Sequence, residues 1–349
     1  IYNTMGTVKA PYRNTSDMRN QGIELTLGWR DNIGDFSYSV NVNASYNHNK
    51  VVKYKGKLME KWVDDNGTKK YSSNIGQVAD FNGNGIRVEG SAFDEYFLRQ
   101  LYKGSGKYYD TNGAVDPNGG PKDGMIRTPE DLQWFRDMRT AGYSFNGVAD
   151  NKQSGYWYGE YIMADVNGDG NYGNSYDRVM TKKSSTPKYT YGINLSAAWK
   201  GIDFNMTWSG AAGMHYYVYS RGLNTSVLSS NEVLPADARK LFYFYNEADP
   251  TDARNNINAA YPRLKAKNSS VYIANDRYLY NASYIKLKNV QIGYTLPKKW
   301  MDKVFINSLR VFVSGENLWT ITDYPGVDPE IGSSLNVYPI SRIFSAGVN

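Results

Sequence analysis

The stretch Phe36-Ser-Tyr-Ser-Val-Asn-Val-Asn-Ala-Ser-Tyr-Asn47 alternates between apolar or aromatic residues and small polar ones. Successive side chains of a β-strand point to opposite faces, so it predicts a strand with one apolar and one polar face. At about 3.3 Å per residue this strand is about 40 Å long. Strands of soluble proteins usually have about 5–6 residues, whereas a tilted strand that crosses a membrane needs about 9–11. The polar face carries only Ser and Asn, which is typical of a wall facing a water-filled lumen.

The composition of the chain narrows the function classes. It has 349 residues, 31 of them Tyr, and Tyr suits positions where one end of the ring is apolar and the other is wet. The absence of Cys excludes a disulfide framework and thiolate metal sites. The net charge of +6 is spread along the chain without a basic block, so we expect no nucleic-acid partner. The sequence contains no run of 18 apolar residues, so it predicts no transmembrane helix.

Similar alternation recurs along the chain and predicts further strands. They lie at 22–30, 189–199, 202–209, 283–296, 309–318 and 343–349. Lys200-Gly201 predicts a tight turn that joins the strands at 189–199 and 202–209 into a long hairpin. In the strand at 283–296 the apolar positions change from odd to even numbers, which predicts a β-bulge near Lys288-Asn289.

The connections between these strands are unequal in length. Short turns follow residues 30, 199 and 296, whereas the stretches 49–155 and 211–280 are long and irregular, with a strand expected within 86–102. Thr128-Pro129-Glu130-Asp131 predicts the start of a loop helix that runs to about Arg139. Short turns at one end and long loops at the other are typical of outer-membrane barrels. Alternation also occurs in half-buried sheets of soluble proteins, so a soluble all-β protein stays an alternative.

Five segments carry a resemblance to a known family. They are Asn20-Gln-Gly-Ile-Glu-Leu25, Asp165-Val-Asn-Gly-Asp-Gly170 with the strand entry Pro187-Lys-Tyr-Thr-Tyr-Gly192, Tyr284–Pro297, Leu309–Leu318, and Tyr338-Pro339 leading to Ser341–Asn349. In their order and spacing they resemble the C-terminal part of the SusC/RagA group of TonB-dependent transporters, which are outer-membrane importers of Bacteroidetes. The chain begins at Ile1 rather than Met, so we expect it to be a piece of a longer polypeptide.

The resemblance implies an all-β protein: a transmembrane antiparallel β-barrel of about 22 strands with long extracellular loops and one short loop helix. Residues 1–349 would be the C-terminal part of this single barrel domain and supply eight to twelve strands. The plug domain and the segment that contacts the TonB complex would not lie in this chain.

The implied activity is TonB-dependent import of a glycan or oligopeptide across the bacterial outer membrane, without catalysis. The implied partners are a SusD-like surface lipoprotein, the TonB complex and outer-membrane lipid. The alternatives are a passive porin-like channel and a soluble secreted glycan-binding protein. An enzyme is disfavoured because no pair of acids suited to glycoside hydrolysis can be assigned.

One motif suggests a structural metal. Asp165-Val-Asn-Gly-Asp-Gly-Asn171 reproduces the first seven positions of an EF-hand-type calcium loop. The acid expected at position 12 is replaced by Tyr176, although a one-residue bulge would bring in Asp177, and Glu160 lies just upstream. The predicted Ca²⁺ ligands are Asp165, Asn167, Asp169, Asn171 and Asp177. The alternative is a metal-free Asx turn.

Aromatic residues form a second candidate. Tyr156-Trp157-Tyr158 and Trp208 could stack on sugars or belong to the aromatic girdles of a barrel. The lysines at 298, 299 and 303 predict a solvated periplasmic turn.

Overall fold

The fold is described from a computed structural model. It describes residues 16–54, 88–146, 155–218, 238–264, 274–304, 306–333 and 337–349, the single residues 148, 150 and 152, and the backbone of short strands between 63 and 77. Most of the irregular opening segment, and parts of the long stretches at 49–155 and 211–280, lie outside these residues.

Strands dominate the described residues. The strands are β1 (Asp17–Ile33), β2 (Phe36–Lys53), β3 (Val63–Asp65), β4 (Thr68–Lys70), β5 (Ser72–Ser73), β6 (Gly76–Gln77), β7 (Glu95–Arg99), β8 (Ser144–Phe145), β9 (Asn171–Tyr172), β10 (Arg178–Ser184), β11 (Tyr189–Trp199), β12 (Ile202–Ala212), β13 (His215–Tyr217), β14 (Leu279–Asn281), β15 (Tyr284–Thr295), β16 (Arg310–Thr322) and β17 (Ile343–Val348). The helices are α1 (Pro129–Thr140), α2 (Ala238–Leu241) and α3 (Lys298–Met301), with 3-10 turns at Asp276–Tyr278, Asp302–Val304 and Pro329–Ile331.

Seven long strands form one antiparallel sheet, which we call the wall. Its order is β1-β2-β11-β12-β15-β16-β17, so each wall strand pairs with the next one along the chain. Lys200 and Gly201 both have positive φ, 47° and 87°, as a two-residue type I′ hairpin turn requires. Among the described residues the wall has seven strands, and the short strands of the loops pair among themselves in small separate sheets.

The wall confirms most of the predicted strands and their register. Thr207 lies opposite Asn289 and Trp208 opposite Leu287, so Lys288 is the extra residue of the predicted bulge. β1 and β2 extend beyond 22–30 and 36–47, because their backbones continue to pair where the side chains no longer alternate. Of the strand expected within 86–102, the described residues 88–102 form only the shorter β7.

One face of the wall is apolar and continuous across the strands. In register, Leu27 of β1 pairs with Val42, Val42 with Ile193, Ile193 with Trp208, and Trp208 with Leu287. Apolar side chains on this face stay exposed, for example Leu27 at 60% and Val313 at 57%. Tyr38, Val40 and Val42 are likewise not packed into a core. An exposed apolar surface of this extent marks a contact with lipid or another apolar partner.

The opposite face is polar and hydrogen-bonded across strands. Ser39 and Ser196 share a hydrogen bond of 2.7 Å between their hydroxyl oxygens. Near the short turns, Arg310 Nε donates to Asp203 Oδ1 at 2.9 Å, passing over Gly293. A Cβ at position 293 would lie 2.4 Å from the Arg310 guanidinium, so the glycine leaves room for this ion pair.

The long loops pack on each other above one end of the wall. The capping box predicted for α1 is present, because Asp131 N donates to Thr128 Oγ1 at 3.3 Å and Thr128 N to Asp131 Oδ2 at 3.0 Å. Trp134, Phe135 and Met138 of α1 are fully buried in a local core with Phe145 and Ile162. No helix among the described residues is long and apolar enough to cross a membrane.

Candidate functional site

The predicted calcium loop is a tight turn whose acids bind its own backbone. Asp165 Oδ1 accepts from Gly168 N at 2.7 Å, and its Oδ2 from Gly170 N at 2.8 Å. Asp169 Oδ1 accepts from Asn171 N at 2.9 Å, while its Oδ2 accepts from the side-chain amides of Asn167 and Asn174. These contacts are those of nested Asx turns.

Asp177 lies within hydrogen-bonding distance of the loop. Its Oδ1 accepts from Val166 N at 2.8 Å and its Oδ2 from Asn174 N at 3.0 Å. Burial raises the pKa of Asp177 to about 7, and the charges of Asp165 and Asp169 add to the rise although the backbone N–H groups oppose it. A bound cation would relieve this repulsion, so the charge balance of the loop is compatible with one.

The arrangement of the other predicted ligands is less favourable to a metal. Asn171 Oδ1 accepts from Asn146 N at 3.0 Å, and Glu160 lies elsewhere, 2.7 Å from Arg263. Among the described residues, no group of three or more His, Cys, Asp or Glu side chains is arranged to hold a metal ion. Calcium binding stays a prediction.

The aromatic motif divides between the core and the surface. Tyr156 is buried beside Phe135 and Phe145, whereas Trp157 and Tyr158 are half-buried and face outward. Trp208 lies on the apolar face of the wall, with its ring centroid 6.0 Å from that of Trp319. Trp208 therefore belongs to the apolar face of the wall, and only Trp157 and Tyr158 remain candidates for stacking on a ligand.

Trp157 and Tyr158 line a groove between the two long loops, which we call the inter-loop groove. Its volume is about 710 Å³. Its lining residues are Lys152, Trp157, Tyr158, Arg239, Phe242, Tyr243, Phe244, Tyr245, Asn246, Glu247, Ala248, Arg254, Arg263 and Leu264. Glu247 joins the two loops, since it accepts from Lys152 Nζ at 2.7 Å and from Trp157 Nε1 at 3.1 Å. The sequence indicated only the aromatic pair Trp157 and Tyr158 of this groove, because the other side forms from a segment about 90 residues away.

A buried ion-pair cluster was also missed by the sequence analysis. Lys286 of β15 is 1% exposed, and its Nζ lies 2.6 Å from Asp328 Oδ2 and 2.7 Å from Glu330 Oε2. Lys288 Nζ lies 2.9 Å from the Glu330 carboxylate. Because Lys286 pairs in register with Ser209 and Thr320, the cluster fastens the loop between β16 and β17 to the polar face of the wall.

A second cleft, of about 720 Å³, lies beside the Asp165 loop. Asp165, Asp169 and Asp276 line it together with Lys103 and Tyr143. Its lining is mostly acidic or neutral, unlike that of the inter-loop groove.

Comparisons with known proteins agree with the resemblance in sequence. No protein-family model matches the chain. The TonB-dependent receptor P3 of Formosa agariphila is 27% identical over 98% of this chain, and the TonB-dependent receptor SusC of Bacteroides thetaiotaomicron is 23% identical over 97%. The aligned regions are 29% and 27% of those two receptors, so the chain spans less than a third of their length.

Solved structures agree at the level of the fold. A structure of the RagAB peptide transporter matches 97% of this chain and 30% of its own with a TM-score of 0.58 and 19% identity. A structure of the RagAB peptide importer in its open-open state matches with a TM-score of 0.57. The predicted resemblance to the SusC/RagA group is therefore confirmed.

Proposed function

We propose that this chain, which resembles SusC/RagA-type TonB-dependent receptors over nearly its whole length, is the C-terminal part of an outer-membrane import barrel. The wall would form one section of a barrel of about 22 strands, with its apolar face toward lipid and its polar face toward the lumen. The plug and the segment that contacts the TonB complex would lie outside this chain. In this role the protein performs no catalysis.

The observation that carries the proposal is the continuous exposed apolar face of the wall. Aromatic residues mark both of its ends, with Phe36, Trp199 and Tyr294 near the short turns and Tyr46 and Tyr189 near the long loops. Phe36 and Tyr46 are ten residues apart (46 − 36), or about 33 Å along a strand. With a tilt of about 40°, that distance corresponds to a height of about 25 Å, which is the height of the apolar band in outer-membrane barrels.

The direction of the loops supports an extracellular binding region. The short connections all leave one end of the wall, where the lysines of α3 are exposed, as predicted for a periplasmic turn. The long loops leave the other end and fold into a packed assembly with its own cores. We propose that this assembly holds a glycan or oligopeptide together with a SusD-like lipoprotein, and that the TonB complex drives import.

The experiment is a transport measurement in the native bacterium. We expect the protein in the outer-membrane fraction, extractable only with detergent, and we expect uptake of its nutrient to stop when TonB is deleted. Uptake that continues without TonB would indicate a passive channel instead. A protein that remains in solution without detergent would contradict the proposed membrane location.

A further inference from the structure

The inter-loop groove presents an exposed guanidinium group whose acidic partner is less exposed. Arg254 is largely exposed, whereas its partner Asp252, with Oδ2 2.6 Å from Arg254 Nη2, is nearly buried. Arg263, itself mostly buried, pairs with the fully buried Glu160. A ligand in the groove therefore meets the guanidinium of Arg254 before it meets the carboxylate of Asp252.

Two further side chains complete this charge pattern. Arg239 is exposed and has no ion-pair partner among the described residues. Burial opposes the ionisation of Glu247, but the hydrogen bonds from Lys152 and Trp157 outweigh it, so the pKa of Glu247 is lowered and its charge is neutralised by Lys152. Among the described lining residues, Arg239 and Arg254 are thus the exposed arginines, and the acid Glu247 is paired with Lys152.

Aromatic rings supply the rest of the lining. Phe244 is 45% exposed and Tyr245 half-exposed, and Tyr158 packs edge-on against Tyr245 with ring centroids 5.2 Å apart. Arg254 lies 5.8 Å from the ring centroid of Phe244. Cations beside open ring faces suit a ligand that combines apolar C–H surfaces with negative groups, because rings bind the former and guanidinium binds carboxylate or sulfate.

Several backbone donors of the groove bind acceptors within the loops. Tyr243 N donates to Tyr261 O, Phe244 N to Asn256 O, and Asn246 N to the side chain of Asn255. A peptide that binds by strand addition needs free main-chain groups at a sheet edge. The main-chain N–H groups of Tyr243, Phe244 and Asn246 are engaged within the loops, so side chains supply the charged and apolar contacts of the groove.

We propose that the inter-loop groove binds an anionic oligosaccharide. Its sugar rings pack on Phe244 and Tyr245, and its carboxylate or sulfate groups pair with Arg239 and Arg254. The proposal rests on the proposed import function and specifies its substrate class.

The test is calorimetric titration of the full-length protein extracted from outer membranes. The probes are a hexameric oligouronate, a sulfated hexasaccharide, neutral maltohexaose and a hexaglutamate peptide. We expect one or both anionic sugars to bind at least about tenfold more tightly than maltohexaose, the gain expected from one additional charge-assisted hydrogen bond. This advantage should shrink at high salt.

Variants assign the binding to the groove. Arg239→Gln should weaken anionic-sugar binding about tenfold, and Phe244→Ala by several-fold, whereas the exposed controls Arg139→Gln and Tyr338→Ala should leave it within about twofold. Binding of the uronate alone or of the sulfated sugar alone supports the proposal and identifies the anionic group.

Four results would overturn it: equal binding of maltohexaose, equal binding of hexaglutamate with the same variant losses, unchanged binding in both groove variants, or no binding of either anionic sugar. The import function is tested separately, because each of these results leaves the membrane location and the TonB dependence as they are.

Discussion

Replacing Lys286 should release the loop between β16 and β17 from the wall. Lys286→Met keeps the length of the side chain but leaves Asp328 without its partner and Glu330 with only Lys288. Removing one member of a buried ion pair costs about 3–5 kcal/mol. Both carboxylates keep some exposure, 14% and 17%, so we expect the low end, about 3 kcal/mol.

The matched control is Lys288→Met. Lys288 contacts the same carboxylate at 2.9 Å, but its side chain is 35% exposed. Ion pairs this open to solvent are worth at most about 1 kcal/mol. The two neighbouring lysines should therefore differ clearly, although both variants remove one positive charge.

Hydrogen exchange of the Ile331 amide measures the difference. This amide donates to Asp328 O at 3.2 Å, within the loop that the cluster fastens. At 1.4 kcal/mol per factor of ten, Lys286→Met should lower its protection about 100-fold and Lys288→Met by no more than about fivefold. Equal losses in the two variants, or none in Lys286→Met, would refute the view that burial of Lys286 holds the loop.

Three further predictions concern the cluster, the wall and the Asp165 loop. Burial opposes the ionisation of Glu330, but Lys286 and Lys288 outweigh this effect and lower the pKa of Glu330. The protection of the Ile331 amide, corrected for intrinsic exchange, should therefore be constant above about pH 5 and fall as the pH drops below the ordinary carboxyl pKa. Constant protection down to about pH 3 would contradict this. In lipid vesicles, Ile193→Arg should lower the free energy of urea unfolding by about 2–4 kcal/mol. Asn194→Arg, on the other face of the wall, should lower it much less, and equal losses in the two variants would count against the assignment of faces. Calcium should raise the Tm of the wild type but not the Tm of the Asp165→Ala, Asp169→Ala double variant. The variant should have a lower Tm in chelator as well, because it loses Asx hydrogen bonds, so equal calcium responses of the two proteins would reject ion binding.

The wall was predictable because its side chains repeat with the period of a strand. The alternation of apolar and polar residues is visible in the sequence. Even the bulge at Lys288 could be located, because the apolar positions change from odd to even numbers between Leu287 and Val290. The start of α1 was equally local, since Thr128 and Asp131 cap each other within one turn.

The sites in the loops were not predictable in the same way. Lys286 has the spacing of an ordinary polar position, and its partners lie more than 40 residues later in an irregular loop. The inter-loop groove depends on contacts such as that between Trp157 and Glu247, which no periodic pattern encodes. The Asp165 motif is compatible with a metal loop and with an Asx turn, because both use the same oxygens on the same tight backbone.

Spin labels at neighbouring positions of β2 test the lipid-facing wall most directly. The chain has no Cys, so Val42→Cys and Asn43→Cys can each carry a single label. In outer-membrane vesicles, spin relaxation of the label at 42 should be enhanced mainly by molecular oxygen, which concentrates in lipid. Spin relaxation of the label at 43 should be enhanced mainly by a water-soluble nickel complex. Equal accessibility of both labels to the nickel complex, or burial of the label at 42 from both agents, would contradict the account.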